Sequence, residues 1–175
     1  MTGTRCASGV AVAPLRLDCP MSVVLDASGE PPKSPCSDPI GPQLRTPQAV
    51  AAYCSDLALL PHEVLIALVI DSSHHLRVRV HIDGHRHGVA ARPCELLRPV
   101  LVSGCSALIV VHNHPSGSPR PSATDIAYTQ RLADACRLLG VALVDHVIVA
   151  STGWTSFVQL GWLPANHRSG DRVQW

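Results

Sequence analysis

Two histidines separated by one residue, His112 and His114, are followed after seven residues by Ser122 and after two more by Asp125. Side chains at i and i+2 of a strand end project to the same side, so both imidazoles can reach one ion. Asp125, in the first turn of a following helix, would bring a carboxylate to the same point. Three nitrogen and oxygen ligands leave one position of a tetrahedral zinc ion open, the arrangement in which a metal polarises a carbonyl and lowers the pKa of water toward about 7. Two nearby histidines in a chain that has 10 would alone read as solvated polar residues. Ser122 and Asp125 add a helix cap and a third candidate ligand to the pair.

The elements that must carry these residues follow from hydrophobic patterning. The apolar run 107–111 is a buried strand that delivers the chain to His112, and a loop over 113–121 separates it from a helix capped by Ser122. Ile126, Leu132, Ala133 and Leu139 give that helix its apolar face, and Gly140 stops it. Upstream, Thr46 caps a helix with Pro47 at its first position, predicted to end before Pro61. Residues 64–70 form a continuous, partly β-branched apolar run, the pattern of a strand covered on both faces. Residues 76–82 alternate apolar with Arg, Arg and His, as a half-solvated hairpin partner would. An amphipathic helix over 93–102 ends at Ser103-Gly104, and strands over 141–150 and 155–158 close the pattern. Strands interleaved with helices, without a repeat, predict one compact αβ domain.

Composition bounds the rest. A chain of 175 residues with 46% apolar content suits a single core. The balance of 14 Lys and Arg against 13 Asp and Glu leaves a net charge of +1, so charge does not support polyanion or DNA binding. No secretory-type leader opens the chain and no apolar run reaches membrane-spanning length, so the expectation is a soluble, cytoplasmic protein without a membrane partner. Seven scattered cysteines with no CxxC pair form neither a disulfide framework nor a zinc ribbon, and Cys105 and Cys136 read as buried free thiols. Residues 1–45 are rich in Pro, Gly and Ser and read as a flexible tail, in which Met21 to Leu25 is too short and isolated for a second domain.

The motif His112-x-His114, seven residues, Ser122, two residues, Asp125 reproduces the JAMM motif of the JAB/MPN metalloproteases. The wider string HNHPSG…PSATD, with Asp145-His146-Val147-Ile148-Val149, Ser156-Phe157 and Gly161-Trp162-Leu163, resembles the RadC-type bacterial branch of that family over residues 46–163. The resemblance implies a domain over 46–165, with a short tail over 166–175. Its fold would be three-layer α/β/α and cytidine-deaminase-like, with a mixed central sheet. It also implies Zn2+ on His112, His114 and Asp125, and a peptide or isopeptide substrate.

The resemblance further implies a catalytic glutamate upstream, on the first strand, that takes a proton from the attacking water. Glu63, just before the 64–70 strand, fits that place, and a carboxylate beside a metal suits proton transfer. Glu95 is the competitor, in Arg92-Pro93-Cys94-Glu95, where it would favour a helix N-terminus. Ser122 would both cap its helix and donate to a developing oxyanion. The alternative implied by the same branch is a non-catalytic module associated with DNA repair or mobile elements, acting through a protein or DNA partner. Relatives of that branch carry a helical region before the JAMM domain where this chain has the Pro-rich stretch. Here too Cys94 replaces an Arg, and the 83–88 hairpin departs from the usual turn.

Other polar residues have blander readings. His74, His75, His81, His85 and His87 read as an exposed hairpin surface, and Arg120 as solvated. Asp145-His146 is open between a pair that orients a ligand and a carboxylate satisfied at a strand end. Trp162 is expected to pack the core.

Overall fold

The computed structural model describes residues 41–83 and 91–163. The tail readings over residues 1–40 and 166–175, with the readings of His85, His87 and Trp175, lie outside them. A mixed five-stranded sheet runs in the order β2-β1-β3-β4-β5. β1 (Val64–Ile70) pairs antiparallel with β2 (Leu76–Asp83) and with β3 (Ala107–Asn113). β3 pairs parallel with β4 (Ala142–Ala150), and β4 antiparallel with β5 (Gly153–Ser156). A parallel pair needs a long crossover, and here α3 (Ala123–Leu138) supplies it.

The apolar run of β1 is unbroken because helices cover both faces of the sheet, the three-layer arrangement expected. Val64, Ile66, Leu68 and Ile70 pack in the layer that holds α1 (Pro47–Tyr53), with Val50, Ala51 and Leu57. Leu65, Ala67 and Val69 pack in the opposite layer, against α2 (Pro93–Ser103) and α3 through Leu96, Val100 and Leu132. β3 divides the same way, Ile109 and Val111 to the first layer and Leu108 and Val110 to the second. The period of two therefore carries His112 to the α3 side and Asn113 to the other.

β4 does not keep phase. Ala142 and Val144 lie in the first layer as even-numbered residues, but Val147 and Val149 lie there as odd-numbered ones, and the β3–β4 register shifts between Leu108 and Ile109. Such a bulge re-aims side chains. Here it puts His146, with Ile148, on the face that carries His112.

Element ends follow the chemistry expected, with corrections. Thr46 caps α1 through its hydroxyl, and Gly104 ends α2 at φ +67. The first helix does not run to Pro61. It ends at Tyr53, and Ser55–Leu59 is a 3-10 turn whose tighter bonds, Leu57 N–H to Cys54 and Leu60 N–H to Leu57, turn Leu57 into the core. β5 starts two residues earlier than expected, because the turn after Ala150 is tight and Ala150 already pairs with Gly153.

Packing also reaches back past residue 46. Gln43 bridges to His75, and Leu44 is buried with its N–H on the His74 carbonyl. His74 is therefore buried rather than exposed, at φ +65. Cys136 is a buried free thiol as read, whereas Cys105 is disulfide-bonded, which corrects its reading. Pairing depends on approach in space, which spacing along the chain does not carry. Trp162 sets its edge against Phe157 but stays 44% exposed, so it packs the core only in part. Among the described residues, no helix is long and apolar enough to cross a membrane.

Leu132, fully buried between α3 and the sheet, tests how far that layer holds the fold. Leu132→Ala should cost about 2–5 kcal/mol, seen as a lower urea midpoint with an unchanged slope.

Candidate metal centre

His112 leaves the end of β3 on the α3 side, His114 follows just beyond the strand, and Asp125 sits in the first turn of α3. Their donor atoms converge. The two Nε2 atoms are 2.9 Å apart, His112 Nε2 is 3.3 Å from Asp125 Oδ1, and His114 Nε2 is 3.3 Å from Asp125 Oδ2. One ligand atom from each of the three residues lies within 4.8 Å of the other two. Donors about 2.0–2.2 Å from a tetrahedral ion stand about 3.3 Å from each other, so two imidazoles and a carboxylate at these distances fit one metal ion.

Each ligand is held by a bond unrelated to any metal. Asp125 and Ser122 form a reciprocal cap, Ser122 N–H donating to Asp125 Oδ2 at 2.7 Å and Asp125 N–H to Ser122 Oγ at 3.2 Å. The His114 N–H prolongs the β3–β4 pairing by donating to the Val149 carbonyl, and its Nδ1–H donates to the Ser118 carbonyl at 2.9 Å. That second bond leaves the Nε2 lone pair of His114 facing inward. The loop between the ligands is tied down at Gly117, whose carbonyl accepts from the Thr152 N–H and hydroxyl. Gly117 has φ +83, the left-handed region that favours glycine, and a Cβ there would make the Ser151 hydroxyl turn aside.

On the far side of His112, Nδ1 lies 2.8 Å from His146 Nε2, and His146 Nδ1 lies 2.5 Å from Thr129 Oγ1. The open choice for Asp145-His146 resolves by residue. His146 touches a ligand, whereas Asp145 accepts from the His146 and Val158 N–H groups and the Ser156 hydroxyl, and so fastens the end of β5.

The electrostatics agree with a cation-binding cluster. Partial burial opposes ionisation of Asp125, but the adjoining His112 and His114 rings, and Ser122, hold its carboxyl well below the usual carboxylate range. Contact with the Asp125 carboxylate raises His114 above the ordinary histidine value against its partial burial, helped by the Ser118 carbonyl and the negative charges of Asp125 and Glu63. Burial pushes His146 far down, with the neighbouring His112 acting the same way, so it is neutral.

Of the two glutamates, Glu63 stands close enough for its charge to act on His114. Glu95 is committed elsewhere, one oxygen on the Arg92 N–H at 2.8 Å and the other on the Arg92 guanidinium at 3.0 Å, as a helix cap. Arg120 is exposed, as expected. Two residues that the spacing did not single out matter here, Thr129 and Asn113. Asn113, fully buried, accepts from the Val64 N–H at 2.7 Å and donates to the His62 carbonyl at 3.0 Å, clamping both neighbours of Glu63 to the strand between the two histidines. A polar residue in the middle of an alternating strand end was its one signal.

A family model described as the RadC-like JAB domain matches residues 44–162. A UPF0758 protein of Burkholderia mallei (strain SAVP1) is 39% identical over 127 residues, covering 70% of this chain and 45% of that relative. One from Burkholderia thailandensis is 40% identical over 127 residues, with 70% and 47% covered. One from Azotobacter vinelandii is 39% identical over 124 residues, with 70% and 55% covered. The chain spans about half the length of the curated relatives it matches.

Asn113→Leu keeps the side-chain volume but leaves the buried Val64 N–H without its acceptor. The expected loss is about 1–3 kcal/mol, measured by chemical denaturation, with faster hydrogen exchange at the Val64 amide.

Proposed function

Because the chain belongs to the RadC-like JAB-domain family, we propose that it is a zinc-dependent hydrolase of peptide or isopeptide bonds, with His112, His114 and Asp125 as the metal ligands. The observation that carries this is the convergence of three donors whose outer atoms are already hydrogen-bonded, so that lone pairs face a common point. Two imidazoles and a carboxylate suit zinc, a borderline ion that takes nitrogen and oxygen donors. When bound, zinc supplies Lewis acidity that polarises a carbonyl and makes water more acidic.

The chain's own groups divide the remaining work. Glu63, held next to the Asn113 clamp and felt electrostatically at His114, takes the proton of the attacking water and returns it to the leaving amine, which balances the hydrolysis. Ser122 accepts from the Asp125 N–H through its oxygen. Its hydroxyl hydrogen, with no acceptor among the described residues, donates to the oxygen of the scissile carbonyl as charge builds there. Glu95 serves as a helix cap in this reading. A net charge of +1 gives no support to a polyanionic substrate.

Metal analysis of the purified chain should find one zinc per chain, and His114→Ala should lose it. Glu63→Gln should keep zinc and fold but lower hydrolysis of a peptide and isopeptide panel by about 10²–10⁴-fold. A chain that takes up no zinc would overturn the proposal, and a Glu63→Gln variant with full activity would remove Glu63 from its role.

A further inference from the structure

The bonds behind His112 have a direction that can be read without reference to a metal. Thr129 Oγ1 lies 2.6 Å from the Asp125 carbonyl oxygen, one turn earlier on the same helix. A carbonyl only accepts, so the Thr129 hydroxyl spends its single hydrogen there. Toward His146 the same oxygen can then only accept, and His146 Nδ1, 2.5 Å away, must donate. A neutral imidazole that donates through Nδ1 accepts through Nε2. His112 Nδ1, 2.8 Å from that atom, is therefore the donor, which leaves the His112 Nε2 lone pair turned toward His114 and Asp125.

We propose that Thr129 and His146 are positioning residues that select the proton-bearing nitrogen of His112 through this one-way chain, and that the chain starts from the backbone of the other ligand, Asp125. The ligands on β3 and α3 are thereby coupled: a turn of α3 that moved the Asp125 carbonyl would also disturb His112. His146 is placed for the task by its surroundings. It is 1% exposed, and its ring stacks on Phe157 at 4.8 Å with an interplanar angle of 18°, while its two nitrogens meet His112 and Thr129 among the described residues. Neither residue touches the point where the three ligand atoms meet, so both act through His112.

The test is nitrogen-15 NMR of the histidine rings, read with and without zinc, on the wild type, Thr129→Val and Thr129→Ser. The chain requires His146 to carry its proton on Nδ1 in the wild type, whether or not zinc is present. Thr129→Val, nearly equal in volume, removes the acceptor. His146 should shift toward the Nε2–H form, and zinc binding measured by chelator competition should weaken about 10- to 100-fold. Thr129→Ser should restore both. Wild-type His146 protonated on Nε2 would overturn the proposal, as would a folded Thr129→Val variant with wild-type ring spectra and zinc affinity. The zinc arm rests on the hydrolase reading and the tautomer arm does not. A wild type that binds no zinc but carries the His146 proton on Nδ1 would sink the hydrolase reading while upholding the chain.

Discussion

The alternation of a single strand end governs this molecule. Over Val111, His112 and Asn113 the period of two sends successive side chains into opposite layers of the sheet. Val111 joins the core with α1, His112 enters the layer of α3, and Asn113 returns to grip the segment before β1. One residue of slip would exchange these roles and put the asparagine beside Asp125. The register is held by pairing on both sides, Leu65 opposite His112 on β1 and Ile148 opposite it on β4. Apolar neighbours buried in each layer make any other register expensive.

That constraint explains why so many polar groups are tolerated inside. His112, Asn113, Thr129, Asp145, His146 and Ser156 are all buried, and an unpaired group there would cost roughly 1–3 kcal/mol. Asn113 is satisfied by the backbone of residues 62 and 64, and the other five fall into two separate sets. Asp145 with Ser156 and the Val158 N–H anchors the last strand, and the His112, His146 and Thr129 set ends on a helix carbonyl. Adjacent residues of β4 serve these two purposes: alternation separates them, and the phase change in β4 sets which face each one takes.

The parts of the site that depend on local spacing were legible in the chain. Two histidines at i and i+2, a helix cap and a carboxylate three residues after the cap each follow from a period or a capping rule, and the structure brings the three candidate ligands together. The strands 64–70 and 76–82 were equally plain, because their apolar patterns differ as a doubly covered strand and an edge strand must. What escaped notice depended on contacts between distant segments. Thr129 looks like an ordinary helix residue until β4 is laid beside it, and the role of Asn113 exists only because residues 60–64 run past the end of β3. The choice between Asp145 and His146 turned on a bulge that no alternation rule locates. Leu44 reads as tail because five nearby prolines outweigh one leucine whose partner, the turn at His74, is thirty residues away.

The same network bears on what a metal would do here. In a domain folded by its metal, ligands sit on short loops, and binding free energy is folding free energy. Here the ligands stand on or beside elements whose burial is already complete. β3 is covered on both faces, α3 packs through Leu132, and each ligand side chain has a second bond to the protein. Little ordering is left for an ion to impose, so its binding free energy would be available for affinity and for chemistry at an open position rather than for assembling the fold. A preformed site of this kind favours a reactive role over a structural one, because a staple adds little where the core already holds the ends together.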